Sequence, residues 1–149
     1  MTAPRQLRLS FDSRLENVPL AGRALYGIAS EAGLSAAECD ALELCVVEAV
    51  TNCIVHAYGG APAHEVLLHV TVADEQLEVQ VIDRGTPMAP GLLERQAPAV
   101  PEDPRLLAES GRGLLLLRQL MDRLDYSTDA SGNTLKMTKR LGARMTAPR

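Results

Sequence analysis

Glu43-Leu44-Cys45-Val46-Val47-Glu48-Ala49-Val50-Thr51-Asn52-Cys53-Ile54-Val55-His56-Ala57-Tyr58-Gly59-Gly60 is the stretch on which the fold turns. Its apolar residues recur three and four apart and no proline interrupts them, which predicts a long helix. Gly59 and Gly60 supply the stop. Glu48, Asn52 and His56 stand at successive i, i+4 positions, so the three project from one stripe. Cys45, Ala49, Cys53 and Val55 surround them. A carboxylate and an amide within such an apolar surface are costly unless something polar meets them. A wet helix face with a satisfied asparagine is one solution. A functional site is the other.

Working outward, Ser35 followed by Glu38 is a capping-box signature that opens this helix, which is expected to run to about Tyr58. Ahead of it, residues from about Val18 to Ala32 carry Leu20, Ala24, Leu25, Ile28 and Ala29 at helical spacing. Pro19 suits the first turn of that helix and Gly33 closes it. Gln6 to Phe11 alternates, with Leu7, Leu9 and Phe11 on one face, the pattern of a half-buried strand. Downstream, the break Gly59-Gly60-Ala61-Pro62 leads into strands at Glu65 to Val72 and Gln76 to Ile82, a hairpin around residues 73 to 75. Arg84 to Pro104 holds five of the nine prolines and almost no periodicity. A structureless stretch of that size in a compact domain is usually a functional loop or a lid. A third helical pattern covers Leu114 to Leu124, and strands are expected at Asp125 to Asp129 and Thr134 to Leu141. The order describes an α+β fold, helices over one face of a largely antiparallel sheet.

The bulk composition narrows the function classes. At 149 residues the chain is expected to form a single domain, 1–149, with a real core, and 46% hydrophobic and 23% charged residues are ordinary globular values. One Phe, three Tyr and no Trp leave the core to Leu, Val, Ile and Ala, and argue against a stacking platform for single-stranded nucleic acid. A net charge of −4 gives no electrostatic footprint for DNA or RNA. The three cysteines lack zinc spacing and read as thiols packed as small hydrophobes. No signal region and no 18-residue apolar run is present, so a cytoplasmic location without membrane insertion is expected. Met-Thr-Ala-Pro-Arg occurs at both ends, residues 1–5 and 145–149, without a physical reason for the recurrence.

Three polar clusters punctuate this plan, each at the end of an element. The first is Glu48 with Asn52. The second is Asp83-Arg84-Gly85-Thr86-Pro87 after a strand, where an aspartate can accept from an exocyclic amine and Gly85 lets backbone approach a flat ligand. Alone, Asp-x-Gly is also an ordinary turn. The third is Gly111-Arg112-Gly113 at the start of a helix, where backbone N–H groups and the positive dipole end suit phosphate. A helix-opening Gly-x-Gly is by itself equally a structural device.

Taken together and in this order, the clusters resemble the GHKL (Bergerat, HATPase_c) ATP-binding fold. The run from Glu48 to Tyr58, Asp83-x-Gly85-x-Pro87 and Ser110-Gly111-Arg112-Gly113-Leu114 is similar to its anti-sigma-factor serine/threonine kinase branch, the RsbW and SpoIIAB type. The resemblance covers roughly residues 7–141. It implies a two-layer α/β sandwich whose mixed, mostly antiparallel sheet is covered on one face by three helices. It further implies that Asn52 binds magnesium and phosphate oxygens, that Glu48 is the general base toward a substrate hydroxyl, and that Asp83 binds the adenine amine, supported by Gly85 and Thr134. Gly111, Arg112 and Gly113 would line the triphosphate of ATP, under a lid spanning about 88–109. His56 and Tyr58 match the branch's pattern and are expected to pack or cap.

One departure concerns rate. Relatives commonly carry an arginine just before the Ser-Gly-x-Gly stretch, and this chain has Glu109, with Arg105 and Arg112 as neighbouring guanidinium candidates. The resemblance implies partner switching: a kinase that sequesters a sigma factor or phosphorylates an anti-anti-sigma STAS-domain protein, usually as a homodimer. Arg23, or neighbouring Arg14, would contact those partners. Two other readings stay open, a nucleotide-dependent partner-binding regulator with little kinase activity and a partner-switch kinase controlling a non-sigma target.

Overall fold

Among the described residues, five strands form one sheet in the order β1-β2-β3-β5-β4, with three helices over one of its faces. A computed structural model describes residues 2–93 and 113–142. Strand β1 (Arg5–Asp12) leads through a single 3-10 turn into helix α1 (Val18–Glu31) and then helix α2 (Ala36–Asn52). Strands β2 (Glu65–Val72) and β3 (Gln76–Asp83) form the expected hairpin. Helix α3 (Gly113–Leu120) precedes strands β4 (Arg123–Asp129) and β5 (Gly132–Arg140). All four pairings are antiparallel, so no parallel pair of a mixed sheet exists among the described strands.

The register explains the two layers. Leu7, Leu9 and Phe11 of β1 stand opposite Val70, Leu68 and Val66 of β2. Val79 and Val81 of β3 likewise stand opposite Met137 and Leu135 of β5. Alternation sends these side chains to one face, where the rows from Val66 to Val72 and Leu77 to Val81 are buried. Leu25, Leu42, Val46, Val50, Ile54 and Leu117 of the helices close the same cluster. Cys39, Cys45 and Cys53 are free and buried within it, and burial pushes the Cys45 thiol up to about 12. Among the described residues no helix is long and apolar enough to cross a membrane.

Helix α2 begins with a complete capping box. Ser35 Oγ accepts from the Glu38 N–H at 3.2 Å, and the Ser35 N–H donates to Glu38 Oε2 at 3.0 Å. Ser35→Ala is expected to lower the unfolding free energy by about 1 kcal/mol, read as a shift of the urea midpoint at constant slope. An unchanged midpoint would show the cap to be dispensable.

Two helices end well before the residues read in the sequence. The α-helix that starts at Ala36 ends at Asn52, and Cys53–Ala57 continue as a π turn closed by the Tyr58 N–H on the Cys53 carbonyl at 3.0 Å. Gly60 donates back to Ile54 at 2.8 Å, and Gly59 and Gly60 both take positive φ, as their stop role requires. Helix α3 stops at Leu120, four residues before the expected Leu124. The Asp122 N–H is captured by the Thr138 carbonyl at 3.0 Å, and Asp122 Oδ2 accepts from the Arg140 N–H at 2.6 Å. The chain is thereby drawn into β4, where Leu124 pairs with Met137.

Candidate active site

The buried rows of β3 and β5 do not stay apolar to their ends. Asp83 closes the β3 row and Asn133 lies opposite it on β5, and both are buried. Asp83 Oδ1 accepts from the Asn133 amide at 2.7 Å and from the Gly85 N–H at 2.9 Å. Its Oδ2 accepts from the Cys53 thiol at 3.3 Å. Burial and the adjacent carboxylate hold the Cys53 thiol well above its ordinary pKa, so it stays protonated and able to donate. Asn133 is fully engaged: its amide nitrogen also donates to the Gly85 carbonyl at 2.9 Å, and its oxygen accepts from Thr128 Oγ1 at 3.1 Å.

The π turn brings the helical side to this aspartate. The Ala57 carbonyl accepts from the Thr86 N–H at 2.8 Å, and a methyl group on Gly85 would collide with that same carbonyl. Only glycine permits this approach. Tyr58 completes the junction, its hydroxyl donating to the Glu65 carbonyl at 2.5 Å and accepting from the Arg84 N–H at 2.8 Å. Tyr58 also stacks on His64 with ring centroids 4.6 Å apart.

A cavity of about 300 Å³ opens between these elements, lined by Asn52, Cys53 and His56, by Asp83, and by Met88, Leu114 and Tyr126. Its size suits a flat heterocycle. Beside Asn52 the N-terminus of α3 meets α2: a Cβ on Gly113 would lie 2.7 Å from Glu48 Oε2 and 3.8 Å from Asn52 Nδ2. Glycine at 113 therefore lets the helix start approach both polar side chains of α2. Glu48 is half-buried, and burial raises its carboxyl above the usual glutamate range. Such a carboxylate is a stronger base than an exposed one.

The structure thus gathers Glu48, Asn52 and Gly113 at one end and Asp83 with Gly85 at the other. Three expectations change. Thr134 pairs with Ile82 and Ser127, one residue out of phase with Asp83, so alternation puts it on the opposite sheet face, and Asn133 occupies the position beside the aspartate. His56 is exposed and borders the cavity rather than packing. Asp83 is the last residue of β3, not the first of a turn. Gly111, Arg112, Arg105, Glu109 and residues 94–109 of the expected lid lie outside the described residues. Arg14 and Arg23 are exposed and away from the cavity, with Arg23 3.7 Å from Glu43.

Asn133 was legible in principle. Counting back by twos from the buried Met137 and Leu135 reaches 133, not 134. Cys53 as a donor to Asp83 had no local signal, since the two are 30 residues apart.

A strand-end aspartate, a carboxylate–amide pair on a helix and a glycine-led helix start, all on one face of an antiparallel sheet, define a nucleotide-binding α+β domain. The model of the histidine kinase-like ATPase domain matches residues 11–139, and the chain belongs to that family. It is 33% identical to the serine-protein kinase RsbW of Listeria monocytogenes over 90% of this chain and 86% of that protein. RsbW of Bacillus licheniformis is also 33% identical, over 89% of this chain and 84% of the relative. The anti-sigma F factor of Oceanobacillus iheyensis is 28% identical over 95% and 96%.

Proposed function

We propose that this protein is an anti-sigma factor with ATP-dependent serine/threonine kinase activity. It phosphorylates an anti-anti-sigma protein of the STAS type and otherwise sequesters a sigma factor. The observation that carries the reading is the cavity itself, lined by the buried Asp83 and by Asn52, with Glu48 four residues before Asn52 and close to Gly113. The names of the similar proteins, serine-protein kinase and anti-sigma factor, support the same assignment.

The residues divide the work. Asp83 accepts from the 6-amino group of adenine, a contact the 6-oxo group of another purine cannot make. Gly113, with Gly111 and Arg112 before it, offers N–H groups and positive charge along the triphosphate. Asn52 presents an amide oxygen suited to a hard cation that shares its shell with phosphate oxygens. Magnesium there supplies charge neutralisation of the phosphates. Glu48, four residues before Asn52, takes the proton from the attacking serine or threonine hydroxyl, with positioning and electrostatics supplying the rest. Arg14, just ahead of the 3-10 turn, and Arg23, on α1, are exposed and available to macromolecular partners. The active species is a cytoplasmic homodimer built from one domain per chain.

The deciding experiment is incubation with labelled ATP, magnesium and the cognate STAS-domain protein. Label on a serine or threonine of that protein is the expected result. No transfer, with nucleotide binding intact, would sink the kinase assignment and leave a partner-binding regulator, the reading favoured by Glu109, a carboxylate just before Ser110-Gly111-Arg112-Gly113. Transfer with no sigma factor captured would redirect the switch to another target.

A further inference from the structure

The carboxylate of Asp83 is held asymmetrically, and the asymmetry has a consequence for base selection. Oδ1 is saturated, with two N–H donors at 2.7 and 2.9 Å from Asn133 and Gly85. Among the described residues Oδ2 has one partner, the Cys53 thiol at 3.3 Å, and a thiol is a weak donor. Both Asp83 and Cys53 border the cavity. We propose that Asn133 is a positioning residue for base recognition, fixing the Asp83 carboxylate so that Oδ2 alone is presented to the ligand.

The amide of Asn133 is well placed for this. It is 2% exposed, so its hydrogen bonds are not exchanged with water. Its nitrogen spans Asp83 Oδ1 and the Gly85 carbonyl, tying the end of β3 to the turn that follows. Its oxygen is held by Thr128 of β4. Turning the amide over would set its oxygen against a carboxylate and a carbonyl, so one orientation is enforced from three sides. With Oδ1 occupied, a base that offers an amine gains a strong acceptor at Oδ2 and has only the thiol to displace. A base that offers a carbonyl there meets unrelieved repulsion. Selection between 6-amino and 6-oxo purines thus depends on Asn133, which need not touch the base.

This inference rests on the adenine role of Asp83, and its test separates the two. Binding of ADP and IDP, a pair differing at the purine 6-position, is measured by calorimetry for wild type, Asn133→Leu, Asn133→Thr and Asp83→Asn. Asn133→Leu keeps the volume and removes the donor, and is expected to weaken ADP about tenfold while changing IDP little. Asn133→Thr restores a donor to Oδ1 and recovers most of the ADP preference. Where Asn133→Leu does not fold, Asn133→Ala carries the same expectation. A merely structural role would weaken both nucleotides in parallel, and an unchanged ADP-to-IDP ratio overturns the proposal. If Asp83→Asn also leaves that ratio unchanged, it is the adenine assignment that fails.

Discussion

Glu48→Gln is expected to reduce phosphoryl transfer by about 10²- to 10⁴-fold while leaving nucleotide affinity within about threefold. The substitution keeps the shape beside Gly113 and removes only the capacity to take a proton. Transfer under single-turnover conditions and equilibrium binding of ADP separate the two quantities. Surviving transfer would remove the base assignment, and lost binding would place Glu48 in nucleotide recognition instead. The pH dependence follows from the same carboxyl. Burial raises its pKa in the folded chain, so the folded state binds this proton more readily than the unfolded one. Stability from this group is therefore present below the unfolded value and lost as pH rises through the folded one. Above its raised value the ionised Glu48 is a liability to folding, and there Glu48→Gln is expected to be neutral or stabilising. The rate behaves in the opposite sense. It falls as pH drops through the raised value, so the acidic limb of the transfer profile lies above that of an ordinary glutamate.

Asp83→Asn is expected to weaken ADP by about 10- to 100-fold, the worth of a hydrogen bond to a charged group. The two donors on Oδ1 impose the direction of the change. Asn133 and Gly85 can be satisfied only by the oxygen of a substituting amide, so its nitrogen turns toward Cys53 and the cavity. A donor then faces the donor of adenine. Calorimetry measures the loss, and a thermal melt checks that the sheet end remains folded. Unaltered ADP affinity would exclude Asp83 from base recognition.

The sequence carried the architecture wherever a local rule was sufficient. Ser35 and Glu38 lie within one turn, so the capping box was visible and forms as read. The alternation in β2 and β3 exposed both the hairpin and the buried face. Non-local hydrogen bonds were not visible. The end of α3 depends on Thr138 and Arg140 in β5, and apolar burial continues through Met121 and Leu124 as if the helix went on. The π turn at Cys53–Ala57 is hidden for a similar reason, because hydrophobic spacing barely registers one widened turn. In the site, Glu48, Asn52, Asp83 and Gly85 stood out as polar or glycine exceptions in apolar runs. Thr134 was misplaced by one residue, and in a strand one residue is the whole distance between two faces.

The placement of Asp83 within the sheet and of Glu48 on α2 makes the two halves of the site chemically separable. On the proposed roles, what the cavity reads is decided by the ends of β3 and β5, and what it does to a phosphate is decided by one helical turn. The sheet end can therefore be reshaped to admit an enlarged or 6-substituted purine while the helix is left untouched. A chain altered in that way would accept a nucleotide that its unaltered copies refuse, and a labelled phosphate found on any cellular protein could be traced to this kinase alone.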